Sequence, residues 1–197
     1  MLQKLFARRQ DPDEAAARAL YQAIVEQARL PAFYGAGGVP DSLDGRFELI
    51  ILHSALVVRR LKSEGPAAAA LSQMLFDVLF QNMDENLREM GVGDMGVGKK
   101  IKAMVQAFYG RLSAYEAGLA GGGEALEEAL EEALRRNLLG TVESTAEQRA
   151  ALARYVEACA AGLERLDLDA LRAGAPAFPS FPPASPEASS EAKGPRP

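Results

Sequence analysis

Residues 76–116 read FDVLFQNMDENLREMGVGDMGVGKKIKAMVQAFYGRLSAYE. Two apolar stripes at helical spacing flank a glycine-rich break. Phe76, Phe80, Met83, Leu87 and Met90 recur at i, i+4, i+7, i+11 and i+14, which is one helical face. Val97, Ile101, Met104, Phe108, Leu112, Tyr115 and Leu119 form a second such face. The break between them resembles a phosphate loop in its letters. Gly91, Gly93 and Gly96 fit G-x-G-x-x-G, and Gly93, Gly98 and Lys99 fit most of a P-loop. Both motifs need a strand that delivers the loop to a helix N-terminus. A helix precedes the loop here, and Lys100 stands where a P-loop needs a hydroxyl for magnesium. The spacing therefore predicts a helical corner. Gly91 stops the first helix in the left-handed conformation, and Asp94 caps the second. The small residues of the corner let the two helices cross closely.

The rest of the chain reads as helix too. At 197 residues it is most simply one domain. A body of this size buries roughly 70% of its unfolded surface and needs no covalent staples. Asp11-Pro12-Asp13-Glu14 opens a helix that reaches about Ala28, with Ala17, Leu20, Ile24 and Ala28 inward. Pro31 ends it, and Phe33 to Asp44 is a loop rich in glycine and proline. The next helix covers about Leu43 to Lys62. Phe47, Ile50, Ile51, Val57, Val58 and Leu61 form one apolar face; Leu49, Leu52 and Leu56 add a second. Such a helix is central in a bundle or exposes a surface for a partner. Gly65-Pro66 opens the helix that carries Phe76. An acidic helix from Glu124 to about Leu139 and a last one from about Ala146 to Leu166 complete an all-α bundle of about six helices. This bundle is expected to span 11–173. Residues 1–10 form a basic tip with Lys4, Arg8 and Arg9. The tip is either a frayed end or a weak contact with an anionic membrane surface. Residues 174–197 hold seven of the eleven prolines and read as a disordered tail.

Composition narrows the chemistry. One cysteine, Cys159, allows no internal disulfide framework. One histidine, His53, sits among leucines and reads as a core residue rather than a base. The chain owns too little cysteine and histidine for a zinc site. A formal charge of −5 argues against DNA binding driven by net charge. No apolar run reaches the ~18–20 residues of a membrane span. No catalytic, metal or cofactor site is expected, and no small-molecule ligand. Met74, Met83, Met90, Met95 and Met104 read as adaptable packing rather than as haem ligands. One polar concentration remains. Arg88, Lys99, Lys100, Lys102 and Arg111 gather about the corner with Asp84, Asn86, Glu89 and Asp94. It is either a solvated rim or a docking surface for a protein partner or ribosomal RNA.

At these residues the chain resembles the ubiquinol–cytochrome c chaperone family. The likeness lies in Asp84-x-Asn86-Leu87-Arg88-Glu89, Gly91-Val92-Gly93-Asp94, Lys99-x-Ile101-Lys102 and Ala107-Phe108-Tyr109-Gly110-Arg111. Tyr34-Gly35 and Asp44-Gly45-Arg46-Phe47-Glu48-Leu49 extend it upstream, over about residues 20–160. The resemblance implies an all-helical, cofactor-free assembly factor without enzymatic activity, for respiratory complex III. It implies a peripheral position at the inner membrane, on the cytoplasmic side in a bacterium or the matrix side in a mitochondrion. The implied client is apocytochrome b or another complex III subunit, received near the ribosome exit, with a small partner protein in mitochondrial members. It further implies partner-binding roles for Asp84, Asn86, Arg88, Glu89, Asp94, Lys99, Lys100, Lys102, Phe108, Tyr109 and Arg111. A helical adaptor for a soluble partner, unrelated to respiration, is the other reading these residues allow.

Overall fold

The computed structural model describes residues 12–120, 124–140 and 142–182. Within them the chain is helical and has no β-strand. Helix α1 (Pro12–Ala28) begins on proline, with Asp13 and Glu14 in its first turn. Ala17, Leu20, Ile24 and Ala28 are all buried, as their spacing requires. The expected cap, Asp11, lies outside the described residues. Pro31 does more than stop α1. It starts a one-turn helix, α2 (Pro31–Tyr34), where a missing N–H costs nothing, and this turn drives Phe33 into the core. The loop expected from Phe33 is therefore shorter than its glycines suggest.

Helix α3 (Leu43–Ser63) starts where the Ser42 hydroxyl accepts the Gly45 N–H at 3.1 Å. Both of its apolar faces are used. Leu49, Ile51, Leu52, Leu56, Val57 and Leu61 are buried, because α3 packs on α1, on α4 (Ala69–Glu89), on α5 (Asp94–Leu119) and on α7 (Ala146–Glu164). Its helical twin in hydrophobicity, α4, buries Leu71, Leu75, Leu79, Phe80, Met83 and Leu87. Phe76 is only half-buried, and Met90, the last residue of the expected stripe, is exposed. From Leu49 onward α3 is central in the bundle.

The corner between α4 and α5 is a Schellman stop. Gly91 has φ +81°, its N–H bonds the Arg88 carbonyl at 2.9 Å, and the Val92 N–H reaches back to Leu87 O at 3.0 Å. An added Cβ at Gly91 meets nothing within 4 Å, so Gly91→Ala is a pure backbone test. It is expected to cost about 1 kcal/mol, read from urea unfolding; no change would show that the stop tolerates a side chain. Two expectations at this corner are corrected. Asp94 is the first residue of α5, not its cap; Gly93 takes the cap position, and the Asp94 carboxylate turns to Arg88 instead. A carboxylate so near the positive helix end is favoured either way. The close helix crossing also lies elsewhere. Gly91, Gly93 and Gly98 face open space, whereas a Cβ on Gly118 would sit 2.9 Å from Leu130. That glycine lets α5 lie against α6 (Glu124–Leu134).

Leu130, Ala133 and Leu134 of α6 are buried, and a single wide turn, Arg135–Leu139, adds Leu138 and Leu139. The α7 helix opens on a capping box between Thr145 and Gln148. Its stripe of Leu152, Tyr155, Val156, Cys159 and Leu163 is buried. A short α8 (Leu168–Arg172) returns to α1. The chain does not leave the body at 174. Residues 175–182 run back over the core as a strap: Phe181 is buried and stacks on Phe33 at 4.7 Å, and Phe178 meets His53 edge-on at 5.0 Å. Proline and serine in the composition hid two phenylalanines with a place to go. The remainder of the expected tail, 183–197, and the tip, 1–10, lie outside the described residues.

Candidate functional site

The predicted polar residues separate into three groups. Arg88 holds the first together: it pairs with Asp84 one turn back and with Asp94 across the corner, and both carboxylates keep its guanidinium above its ordinary pKa. Asn86 donates to Asn82 at 3.0 Å. This cluster staples the Schellman turn from outside. In the second group Glu89, Lys99, Lys100 and Lys102 are exposed, and the lysines form no ion pair with a described residue. The third group is structural or partly so. Phe108 is buried in the core against Phe76 and Phe80, so it supports the surface rather than offering contact. Tyr109 beside it is 53% exposed.

Arg111 leads to the feature that sequence reasoning missed. It turns inward and clamps Glu48 of α3 with both guanidinium edges, Nε lying 2.6 Å from Oε2. Both side chains are largely covered. Burial pushes the Glu48 carboxyl above its usual range, and the Arg111 contact only partly offsets this. We expect Arg111→Leu to cost about 2 kcal/mol, because it strands a buried carboxylate, and the added change Glu48→Leu to restore most of it. Urea unfolding of both variants checks this; a further loss in the double variant would show that the pair itself stabilises the fold.

The Glu48–Arg111 pair lies in the wall of an open groove of about 640 Å³. The groove is bounded by the end of α1, the start of α3, the end of α4 and the first half of α5. Phe47, Ile50, Met83, Leu87 and Met104 give it an apolar floor, and Leu43 and Met90 stand exposed at its mouth. Tyr34 and Arg46 form one edge, with the guanidinium over the ring at 5.8 Å. Arg29 and Lys100 also line it. Phe47 and Ile50 were assigned to a core face from α3 alone. The groove is built jointly by the start of α3, the end of α4 and the first half of α5, which no single-helix pattern encodes.

Other candidates fall away. The His53 ring is fully buried; Nδ1 donates to Leu49 O and Nε2 accepts from the Tyr155 hydroxyl, each at 2.7 Å. Cys159 is buried, and desolvation raises its thiol to about 12, so it is not a nucleophile at neutral pH. Among the described residues no cluster of three or more His, Cys, Asp or Glu could hold a metal. No described helix is long and apolar enough to cross a membrane.

Comparison with known proteins places this architecture. Residues 36–178 match the family model described as ubiquinol-cytochrome C chaperone. The chain is 24% identical over 104 residues to ubiquinol-cytochrome-c reductase complex assembly factor 1 of Xenopus laevis, and to its human counterpart over the same length. These matches take in 53% of this chain, 52% of the frog protein and 35% of the human one. The chain thus spans about half or less of the curated relatives it matches. A crystal structure of the Cbp3 homolog from Brucella abortus is similar at TM-score 0.74 and 38% identity, over 88% of this chain and 94% of that one. The eight described helices, the groove and the corner motif all lie in or against the matched residues, and the chain belongs to the ubiquinol–cytochrome c chaperone family.

Proposed function

We propose that this protein is a non-enzymatic assembly chaperone that binds newly made apocytochrome b and supports assembly of respiratory complex III. The observation that supports the reading most is the open apolar groove at the α4–α5 corner of a chain in this family. An unassembled membrane subunit presents apolar helical segments that aggregate unless covered. A preformed groove with an apolar floor accepts one helical face and shields it until later partners take over. Met83, Met90 and Met104 suit such a role, because unbranched thioether chains adapt to more than one occupant. No step of this work requires bond chemistry, and the buried states of His53 and Cys159 accord with that. The rim cations and the exposed Tyr109 orient the client; they do not supply the bulk of affinity. The protein acts at the inner membrane surface, on the cytoplasmic side in a bacterium or the matrix side in a mitochondrion.

Deleting the gene tests this. Assembled complex III and cytochrome b are expected to fall several-fold on native gels and in difference spectra, with the other respiratory complexes unchanged. Normal cytochrome b levels in the deletion strain would overturn the assignment. Recovery of only soluble partners in a pull-down from membranes would favour the adaptor reading.

A further inference from the structure

We propose that the groove selects a helical segment whose apolar face is flanked by carboxylates, with Arg29 and Lys100 as the two cations that recognise them. The proposal rests on the groove being the client site and specifies what the client segment must carry. The chain as a whole is acidic, with formal charge −5. The groove is not: Arg29, Arg46, Lys100 and Arg111 line it against Asp44 and Glu48. Two of those cations are already used. Arg46 holds Asp41 at 2.8 Å, and Arg111 holds Glu48. Arg29 and Lys100 are exposed and form no ion pair with any described residue.

They come from different elements, Arg29 just past α1 and Lys100 on α5, and line the same groove as Phe47, Met83 and Met104. An apolar helix seated among those residues lies within the same groove as the two cations. A carboxylate beside either cation gains a charge-assisted hydrogen bond; an ammonium there is repelled. Exposed pairs contribute little each, so the cations set register and discrimination while the apolar face supplies affinity.

The test uses the full chain and two synthetic probes. Both are fluorescein-labelled leucine–alanine amphipathic helices of about 15 residues, near the shortest that stay helical in water. One carries glutamates at both ends of its apolar face, the other lysines. Fluorescence anisotropy is read at low and high salt. The acid-flanked probe is expected to bind about tenfold more tightly, with the gap closing as salt rises. Arg29→Glu with Lys100→Glu is expected to reverse the preference while far-UV circular dichroism is unchanged. Equal binding of both probes, with the reversal absent, would overturn the charge selection and leave the chaperone reading standing. Ala107→Trp, which fills the groove, is expected to abolish binding of both probes. Undiminished binding to that variant, or binding of neither probe to the native chain, would overturn the groove as the site. Self-association of the protein that Ala107→Trp abolishes would show a second copy to be the occupant and would overturn the proposal.

Discussion

Phe181→Ala is expected to lower the unfolding free energy by about 3–4 kcal/mol, read from urea unfolding at neutral pH. The strap carries little hydrogen bonding of its own, so its hold on the body rests on two rings and one polar contact. Phe181 is 6% exposed, stacked on Phe33 and edge-on to Tyr155 at 5.4 Å. Gln27 donates to Pro179 O at 2.9 Å. Removing the ring uncovers Phe33 and leaves a void between Phe33 and Tyr155. A loss below about 1 kcal/mol would mean that the strap is dispensable, and that the bundle ends near α8 as its composition suggests.

Acid should unfold this protein through His53. Its neutral form is locked between Leu49 O and the Tyr155 hydroxyl, which in turn accepts from Gln27 at 2.8 Å. A proton on Nε2 would place a charge and a second donor against that hydroxyl in a fully buried site. Burial accordingly pushes the His53 pKa down from 6.5 to about 4. In the window between those values the unfolded chain binds a proton that the native chain refuses. Stability is therefore full above pH 6.5 and falls as pH drops toward 4, by about 2–3 kcal/mol at pH 4.5. Carboxylates titrate nearby in pH: Asp41 and Glu132 are held below their usual range, Glu48 above it. Comparison with His53→Gln removes their shared contribution. The native chain is expected to lose about 2 kcal/mol more than that variant between pH 7 and 4.5. Parallel losses in the two proteins would show that His53 is not the sensitive group.

Much of this was legible before any coordinates. The period of 3.6 in α1, α3, α4, α5 and α7 marks most of the residues they bury, since a stripe at that spacing shares one side of a helix. Gly91 after Met90 announced the stop, since the reversal needs a left-handed residue. The corner motif announced the family. What stayed hidden has a common cause. Asp94 was read as a cap because capping is local, but Arg88 competed for its carboxylate from the preceding helix. Phe108 was expected among the contact residues as part of the corner motif, yet it belongs to the stripe with Leu112 and Tyr115 that turns into the core. Residues 174–182 were read as tail because proline and serine dominate, and the space that receives Phe178 and Phe181 is built by α2, α3 and α7 together.

By itself the chain of letters determined that this protein is helical, where its helices turn and to which family it belongs, because each of those is written in spacing along one element. Only the packed molecule decided that Arg111 faces inward to Glu48 and that Phe47, Ile50 and Met104 border a groove instead of a core. Those outcomes depend on how α3, α4 and α5 pack against one another. That is a relation between elements distant in sequence, and hydrophobic periodicity carries no information about it.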